Sequence, residues 1–351
     1  MAKGYAQCPG QNYNETFSLV VRLEMIRAIL VLVPAKNLRV QQMDAYLNGL
    51  LQKWVYMQQP NGFSNGMNHV CCLIKPIYGL KQARWEWNKV LDTRLKWRGF
   101  WPLKSDSCVY VRYKGTNLEI ITVWVDDLLL FTTSDEIVTH LKAELKLVFN
   151  LTDIGEPNKI VGIEITHWGD SIMICQKNYI ESILKWEGMS DAHPVKNPLD
   201  LKIIFKPNSK GENGDHSNVF MCLIGSLQYL STAMCPDITY AVNQLSAYTA
   251  NPSLAHYTAV KRVLWYLAGT KNLGIKYTWS KAHVELQGEN PFFRYANTTY
   301  ANAEEYHSIL GFVFLVSAAA IMWGSRKQNI ITLLSTKAEY ISLSEAAHDA
   351  K

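Results

Sequence analysis

The sequence predicts an α+β fold, an antiparallel sheet with helices on one face. Three observations predict it. Apolar, β-branched runs meet at short turns, the mark of hairpins. Other stretches carry apolar residues at helical spacing. Strands and helices are mixed along the chain, in the order that suits a sheet with helices on one side. The chain has 351 residues, too many for one core, so two or three domains are expected. Hydrophobic residues make up 48% and charged residues 19%, which excludes a disordered chain. The formal charge of +5 hints at a polyanionic partner.

In order along the chain, Phe17 to Pro34 reads as one helix, and Val40 to Met43 as a strand that delivers Asp44. Ala45 to Leu51 suits a turn and a short helix, and Val55 to Met57 a strand. Cys71 to Ile77 is expected to be a strand, Tyr78-Gly79-Leu80 a turn, and the stretch to about Arg98 a helix. Leu80, Trp87, Leu91 and Leu95 recur at helical spacing, and Gly99 stops the run. Cys108 to Tyr113 is a further strand. Thr133 and Glu136 form a capping box ahead of a helix with the face Ile137, Leu141, Leu145 and Val148, ended by Asp153-Ile154-Gly155. Ile160 to Ile165 and Ser171 to Cys175 pair around Gly169-Asp170. Asn197 to Ser217 is a linker, and three helical stretches follow, the third opened by Asn251 as cap and Pro252. From Phe292 strands return, with a hairpin of Gly311 to Ser317 and Ala320 to Trp323. Ile330 to Leu334 and a helix from Thr336 close the chain.

The organising stretch is Trp124-Val125-Asp126-Asp127, inside Leu118 to Thr132. Two apolar runs joined by two acids read as a tight hairpin with carboxylates at its tip. It suits either an exposed polar turn or a divalent cation, because adjacent carboxylates repel unless a cation lies between them. The second notable stretch runs from Lys75 to Lys104, with eight Lys and Arg against Glu86 and Asp92, interleaved with Tyr78, Trp85, Trp87, Trp97, Phe100 and Trp101. Cations beside flat rings suit phosphates and unstacked bases; an amphipathic helix with a solvated basic face accounts for the same pattern.

Seven cysteines, with no C-x-x-C and no framework spacing, point to reduced thiols and an intracellular site, in cytoplasm or nucleus, rather than secretion. His69 with Cys71-Cys72 lacks a zinc spacing. No apolar run is long and uninterrupted enough to span a bilayer.

Taken together, the motifs resemble the reverse transcriptase of copia-type LTR retrotransposons, part of their Pol polyprotein. The residues that carry this are Ala2-Lys3-Gly4-Tyr5-Ala6-Gln7, Gln42-Met43-Asp44 with Ala45-Tyr46-Leu47-Asn48-Gly49, and Tyr78-Gly79-Leu80-Lys81-Gln82-Ala83. Trp124-Val125-Asp126-Asp127, Val161 to Ile165, Gly225 to Leu230 and Leu334-Ser335-Thr336 with Ala338-Glu339-Tyr340 extend the match. The resemblance implies a right-hand polymerase of fingers, palm and thumb over 1–196, a linker over 197–217, a helical connection over 218–288 and a partial ribonuclease H-like domain over 289–351. It implies RNA-directed DNA polymerisation with Mg²⁺ or Mn²⁺ on Asp44, Asp126 and Asp127, and a template, a primer and deoxynucleoside triphosphates as partners. Tyr46 would stack under the sugar. Gln82 and Lys81 would meet nucleotide or template, Lys3 and Arg22 would contact phosphates, and Trp124 would press on the primer terminus.

Three departures from the family pattern stand out. The three residues expected between the catalytic Asp and the Ala-aromatic pair are absent after Asp44. Trp124 replaces Tyr, and Arg84 replaces Pro. The shortened spacing predicts weak or absent polymerisation, and an inactive copy that still binds nucleic acid is the alternative. In the C-terminal stretch Tyr295-Ala296-Asn297-Thr298-Thr299 stands where the family has Tyr-Ser-Asp-Ala-Asp. Glu339 matches the helical Glu, Glu304 and Glu305 look out of place, and the next acidic motif would lie past Lys351, so no ribonuclease H activity is expected.

Overall fold

The computed structural model describes residues 2–16, 20–45, 49, 51, 53–60, 62–63, 66–67, 69–168, 170–200, 203, 205–208, 217–278, 292–300 and 307–349. The backbone divides into two units, 1–22 with 36–157 and 23–35 with 158–351. Helix α1 (Leu23–Lys36) starts later than the sequence suggests and clusters with the second unit.

In the first unit, β1 (Arg39–Ala45) is followed by the two-stranded β2 (Val55–Gln58) and β3 (Val70–Leu73), helix α2 (Ala83–Trp97), and β4 (Trp101–Pro102). Then come β5 (Val109–Lys114), β6 (Asn117–Trp124), β7 (Asp127–Thr132), helix α3 (Asp135–Lys146) and β8 (Leu151–Gly155). Six of these strands form one sheet in the order β4-β5-β6-β7-β1-β8. The runs Leu118–Val123 and Leu128–Phe131 become its buried centre, which also takes in Glu119 and Thr122. Both helices reach one face. Asp92 of α2 accepts from the Tyr110 hydroxyl, and Glu144 of α3 from Arg112, two residues along the same strand.

Arg112 is buried with Glu119 and joined at 2.9 Å to Glu144, which Arg98 and Lys114 also approach. Hydrogen bonds from Arg112 hold the Glu144 carboxyl down at about 2, against the upward push of burial. Burial drags on the Arg112 guanidinium, but its bonds to Glu144 and Glu119 win and raise its pKa.

Four expectations change here. The α3 cap is Ser134, whose hydroxyl accepts from the Ile137 amide, not a Thr133–Glu136 box. Val138 rather than Ile137 is the first buried residue of that helix. Asp153-Ile154-Gly155 does not end the helix; it lies in β8, where its polar side chains face solvent beside β1. The strand expected over Cys71 to Ile77 is Val70–Leu73, because Pro76 cannot donate to a ladder.

In the second unit, β9 (Lys159–Ile160), β10 (Ile163–Trp168) and β11 (Ser171–Cys175) pair as successive antiparallel strands. Helices α4 (Lys177–Trp186), α5 (Ser217–Ala233), α6 (Thr239–Ser246) and α7 (Leu254–Thr270) bury one shared core that includes Phe220, Leu227, Leu245 and Leu264. The α7 cap is Ser253 in a capping box with His256, so Asn251 sits two residues too early to cap it and Pro252 precedes the cap. Strand β12 (Ile275–Thr278) joins β11. β13 (Phe292–Thr299), β14 (Ile309–Val316) and β15 (Ala319–Lys327) form a meander, and α8 (Ser335–Asp349) packs on it. Ile330 to Leu334 forms no strand; Ile330, Ile331, Leu333 and Leu334 are exposed. Arg27 of α1 is buried among the carbonyls of Thr232, Ala233 and Ile321 and over the Trp323 ring, which ties α1 to α5 and β15. No helix among the described residues is long and apolar enough to cross a membrane.

Candidate active site

The hairpin between β6 and β7 turns on two residues, Val125 and Asp126, with Trp124 paired to Asp127. Val125 has φ of 55°, the left-handed region where a β-branched side chain is strained by about 1–3 kcal/mol. The strained residue is held from α2, where the Trp87 indole donates to the Val125 carbonyl at 3.0 Å. Trp87 is itself locked edge-on against Phe149. Helical spacing in the sequence thus delivers a core tryptophan to the back of the turn.

Strand β1 runs beside β7 in a register that sets Asp44 directly opposite Asp127. Residues directly opposite share a sheet face, and like charges there repel. Asp126 is adjacent, since its carbonyl accepts from the Ala45 amide at 2.7 Å. The structure therefore brings Asp44, Asp126 and Asp127 to one end of the sheet. Burial pushes the Asp126 carboxyl above the ordinary aspartate range, a hydrogen bond from Tyr78 pulls it back, Asp44 and Asp127 push it up again, and Arg84 draws it down. Asp126 Oδ1 is buried with no hydrogen-bond partner. Asp127 Oδ1 accepts from the Gln42 amide at 2.8 Å.

An orphaned carboxylate oxygen beside two more carboxylates fits a hard divalent cation. Among the described residues, however, no group of three or more His, Cys, Asp or Glu is gathered into a metal cage.

The remaining sequence candidates divide. Tyr46 lies outside the described residues. Gln82 is buried, accepts from the Gln7 amide at 3.0 Å and donates to the Asn12 carbonyl at 3.2 Å, so its amide fastens the N-terminal segment to α2. Lys81 Nζ lies 3.2 Å from the Tyr13 hydroxyl and over its ring. The Arg22 guanidinium is engaged by Asp106 and the Ser105 carbonyl. Lys3 and Trp124 are partly exposed or exposed. The sequence reading missed Tyr78, Trp87 and Gln42 as partners of the turn. Tyr78 stood in a quoted motif and Trp87 at a core position, but only the folded register shows which atoms they touch.

In the second unit, Asn297 sits on β13 with its Oδ1 accepting from the Thr298 amide at 2.8 Å. Its backbone carbonyl accepts from Ser342 of α8 at 3.1 Å, so that helix crosses β13 here. Glu339 lies three residues before Ser342 and is partly exposed. Glu304 and Glu305 lie outside the described residues.

A family model described as reverse transcriptase (RNA-dependent DNA polymerase) matches residues 1–201. The chain is 34% identical over 364 aligned residues to the Retrovirus-related Pol polyprotein from transposon TNT 1-94 of Nicotiana tabacum, with 99% of this chain and 27% of that protein covered. It is 33% identical to the Retrovirus-related Pol polyprotein from transposon RE2 of Arabidopsis thaliana, with 99% and 24% covered. It is 30% identical to a putative transposon Ty5-1 protein of Saccharomyces cerevisiae, with 86% and 97% covered. The chain spans about a quarter of the length of the two Pol polyproteins.

Proposed function

This chain belongs to the reverse transcriptase (RNA-dependent DNA polymerase) family of copia-type transposon Pol proteins, and from that premise we propose that it extends a primer 3′-hydroxyl along an RNA or DNA template. The observation that carries the reading is the register: Asp44 opposite Asp127, with the unpartnered Asp126 oxygen beside them. In the reaction the 3′-oxygen attacks the α-phosphorus of a deoxynucleoside triphosphate, the α–β phosphoanhydride bond breaks, pyrophosphate leaves and the hydroxyl proton goes to solvent. Asp44 and Asp126 would hold Mg²⁺ or Mn²⁺ with Asp127 alongside, and such ions would supply an acidified hydroxyl and charge neutralisation at the triphosphate. Tyr78 orients the Asp126 carboxyl, Gln42 occupies one Asp127 oxygen, and Trp87 holds the turn that carries both acids. In this reading Lys3 meets phosphate, Trp124 presses on the primer terminus and Tyr46 stacks under the sugar.

In this reading residues 1–196 are fingers, palm and thumb, 197–217 the linker, 218–288 the connection and 289–351 a ribonuclease H-like piece. That piece does not cut RNA, because Asn297 is a weaker ligand for a hard cation than Asp. Primer extension by the full chain on a primed RNA template with Mg²⁺ tests the polymerase. Extension that disappears in Asp126→Asn supports it; equal product from both proteins overturns it.

A further inference from the structure

Residues 2–7 lie across the turn that carries Tyr78, in a single short helical turn, Gly4–Ala6, with its flanks. The Ala2 amide donates to the Tyr78 carbonyl at 2.7 Å, and the Lys81 amide donates to Gln7 Oε1 at 2.8 Å. Gln7 Nε2 donates to Gln82 Oε1 at 3.0 Å. Between these bonds two glycines meet backbone to backbone. A Cβ on Gly4 would overlap the Gly79 carbonyl oxygen, and one on Gly79 would overlap the Ala2 carbonyl oxygen. Gly79 also has φ of 97°, where a side chain is strained. Glycine at both positions is what lets the two segments lie this close.

The turn beneath depends on this clasp. Its own backbone bonds, from the Leu80 amide to Ile77 and from the Ala83 amide to Leu80, are both 3.3 Å, longer than the usual value of about 3 Å. The bonds that arrive from residues 2–7 are the shorter ones. Tyr78, at the head of the turn, hydrogen-bonds the Asp126 carboxyl, whose Oδ1 is buried without a partner. A line of contacts therefore runs from Gly4 and Gln7 through the turn to Tyr78 and Asp126, all inside the first unit. Core packing does not account for the clasp, because Tyr5 is 79% exposed and Gly4 is the buried residue of its helical turn. The segment buries little apolar surface and spends its contacts on backbone instead.

We propose that Gly4, Gln7 and Gly79 are positioning residues for the carboxylate site: they clamp residues 2–7 onto the Tyr78 turn, and the clamped turn aims the Asp126 carboxyl. A carboxylate that is to hold a cation gains when a neighbouring donor fixes its orientation, and that donor is only as well placed as the backbone that carries it. The role in primer extension rests on the polymerase reading; the role in aiming Asp126 does not.

The test uses the full chain with Mn²⁺ alone, read by the electron paramagnetic resonance of the free ion, and amide hydrogen exchange of the metal-free protein. Asp126→Asn gives the background for Mn²⁺. Tyr78→Phe keeps the ring and loses the donor, and should bind Mn²⁺ about tenfold more weakly than the parent. Gly4→Ala, which forces the backbones apart, and Gln7→Ala, which adds no bulk and so guards against a folding defect, should each weaken binding at least about threefold. The double variant Gln7→Ala, Tyr78→Phe should bind like Tyr78→Phe alone, because both changes act through one hydroxyl. In the metal-free protein Gln7→Ala should speed exchange in peptides covering 78–82 and 124–128 and leave those of α3 unchanged. In primer extension each variant should lower kcat and keep the primer KM within about twofold of the parent. If the parent extends no primer, the exchange comparison decides alone: faster exchange in both segments supports the clamp. Parent-like Mn²⁺ affinity in Gly4→Ala and Gln7→Ala, additive losses in the double variant, or faster exchange confined to 78–82 would each overturn it.

Discussion

At Asp126 three carboxylates are crowded into one corner of a sheet, and one buried oxygen has no partner. At Asn297 the strand position is neutral, its amide oxygen is bonded to the next backbone N–H, and its carbonyl is capped by Ser342. The two places resemble catalytic stations of one polyprotein family, yet their physics is opposite. The first is frustrated: a strained Val125 and an Asp126 carboxyl lifted above its ordinary range by burial and by Asp44 and Asp127. The second is satisfied. A fold keeps an uncompensated cluster when a ligand relieves it, whereas a neutral, internally bonded site asks for nothing.

The largest expected effect breaks the first site. Asp126→Asn should lower primer extension by about a hundred- to thousandfold, the range seen when one charge-stabilising group is removed from a preorganised site. In the second site, Glu339→Gln should leave hybrid cleavage where it already stands, at background with Mg²⁺ or Mn²⁺. Cleavage that Glu339→Gln removes would show the two stations to be alike after all. A smaller effect sharpens the contrast. Inserting three residues after Asp44 restores the family spacing to Tyr46 and should raise extension by about ten- to a hundredfold, since a catalytic group displaced by about 1 Å costs about that much. A rate unmoved by the insertion would mean that the short segment already places Asp44 and Tyr46 well.

The carboxylate hairpin was legible because it rests on local pattern: two apolar runs, two acids, a short turn. The pairing of Asp44 with Asp127 was readable only through resemblance, since 83 positions separate them and no periodicity reports register across that distance. Helix α2 was legible from Trp87, Leu91 and Leu95, but not that the Trp87 indole would end on the Val125 carbonyl. The caps were misread at Thr133 and Asn251 because Ser134 and Ser253, each one or two residues on, offer a hydroxyl in the extended conformation a cap needs. Strand β8 was hidden by its polar side chains, Thr152 and Asp153, which suit an edge strand open to solvent. Resemblance makes Gln82, Lys81 and Arg22 ligand contacts; their protein partners come from segments 68 or more positions away.

The smallest expected effect compares two carboxylates inside the first unit by the sign of their pH dependence. Glu144, held at about 2 by Arg112, is depressed below the ordinary glutamate value of 4.5, so its contribution to stability is present above pH 4.5 and is lost as pH falls toward 2. Asp126 is raised, so the folded state binds its proton more readily than the unfolded chain does, and the ionised form weakens the fold. That penalty stands at neutral pH and disappears as pH falls past the ordinary aspartate range. In urea unfolding without metal, Asp126→Asn should therefore be slightly more stable than the parent at pH 7, by a margin under the roughly 1–2 kcal/mol that typical substitutions move. Glu144→Gln should be less stable there, because it leaves the buried Arg112 with one partner fewer. Both differences should shrink as pH falls toward 3, from opposite sides. If Asp126→Asn is instead the less stable protein at pH 7, with a gap that does not change on acidification, Asp126 is a structural residue and the crowding at the turn is not what sets that site apart.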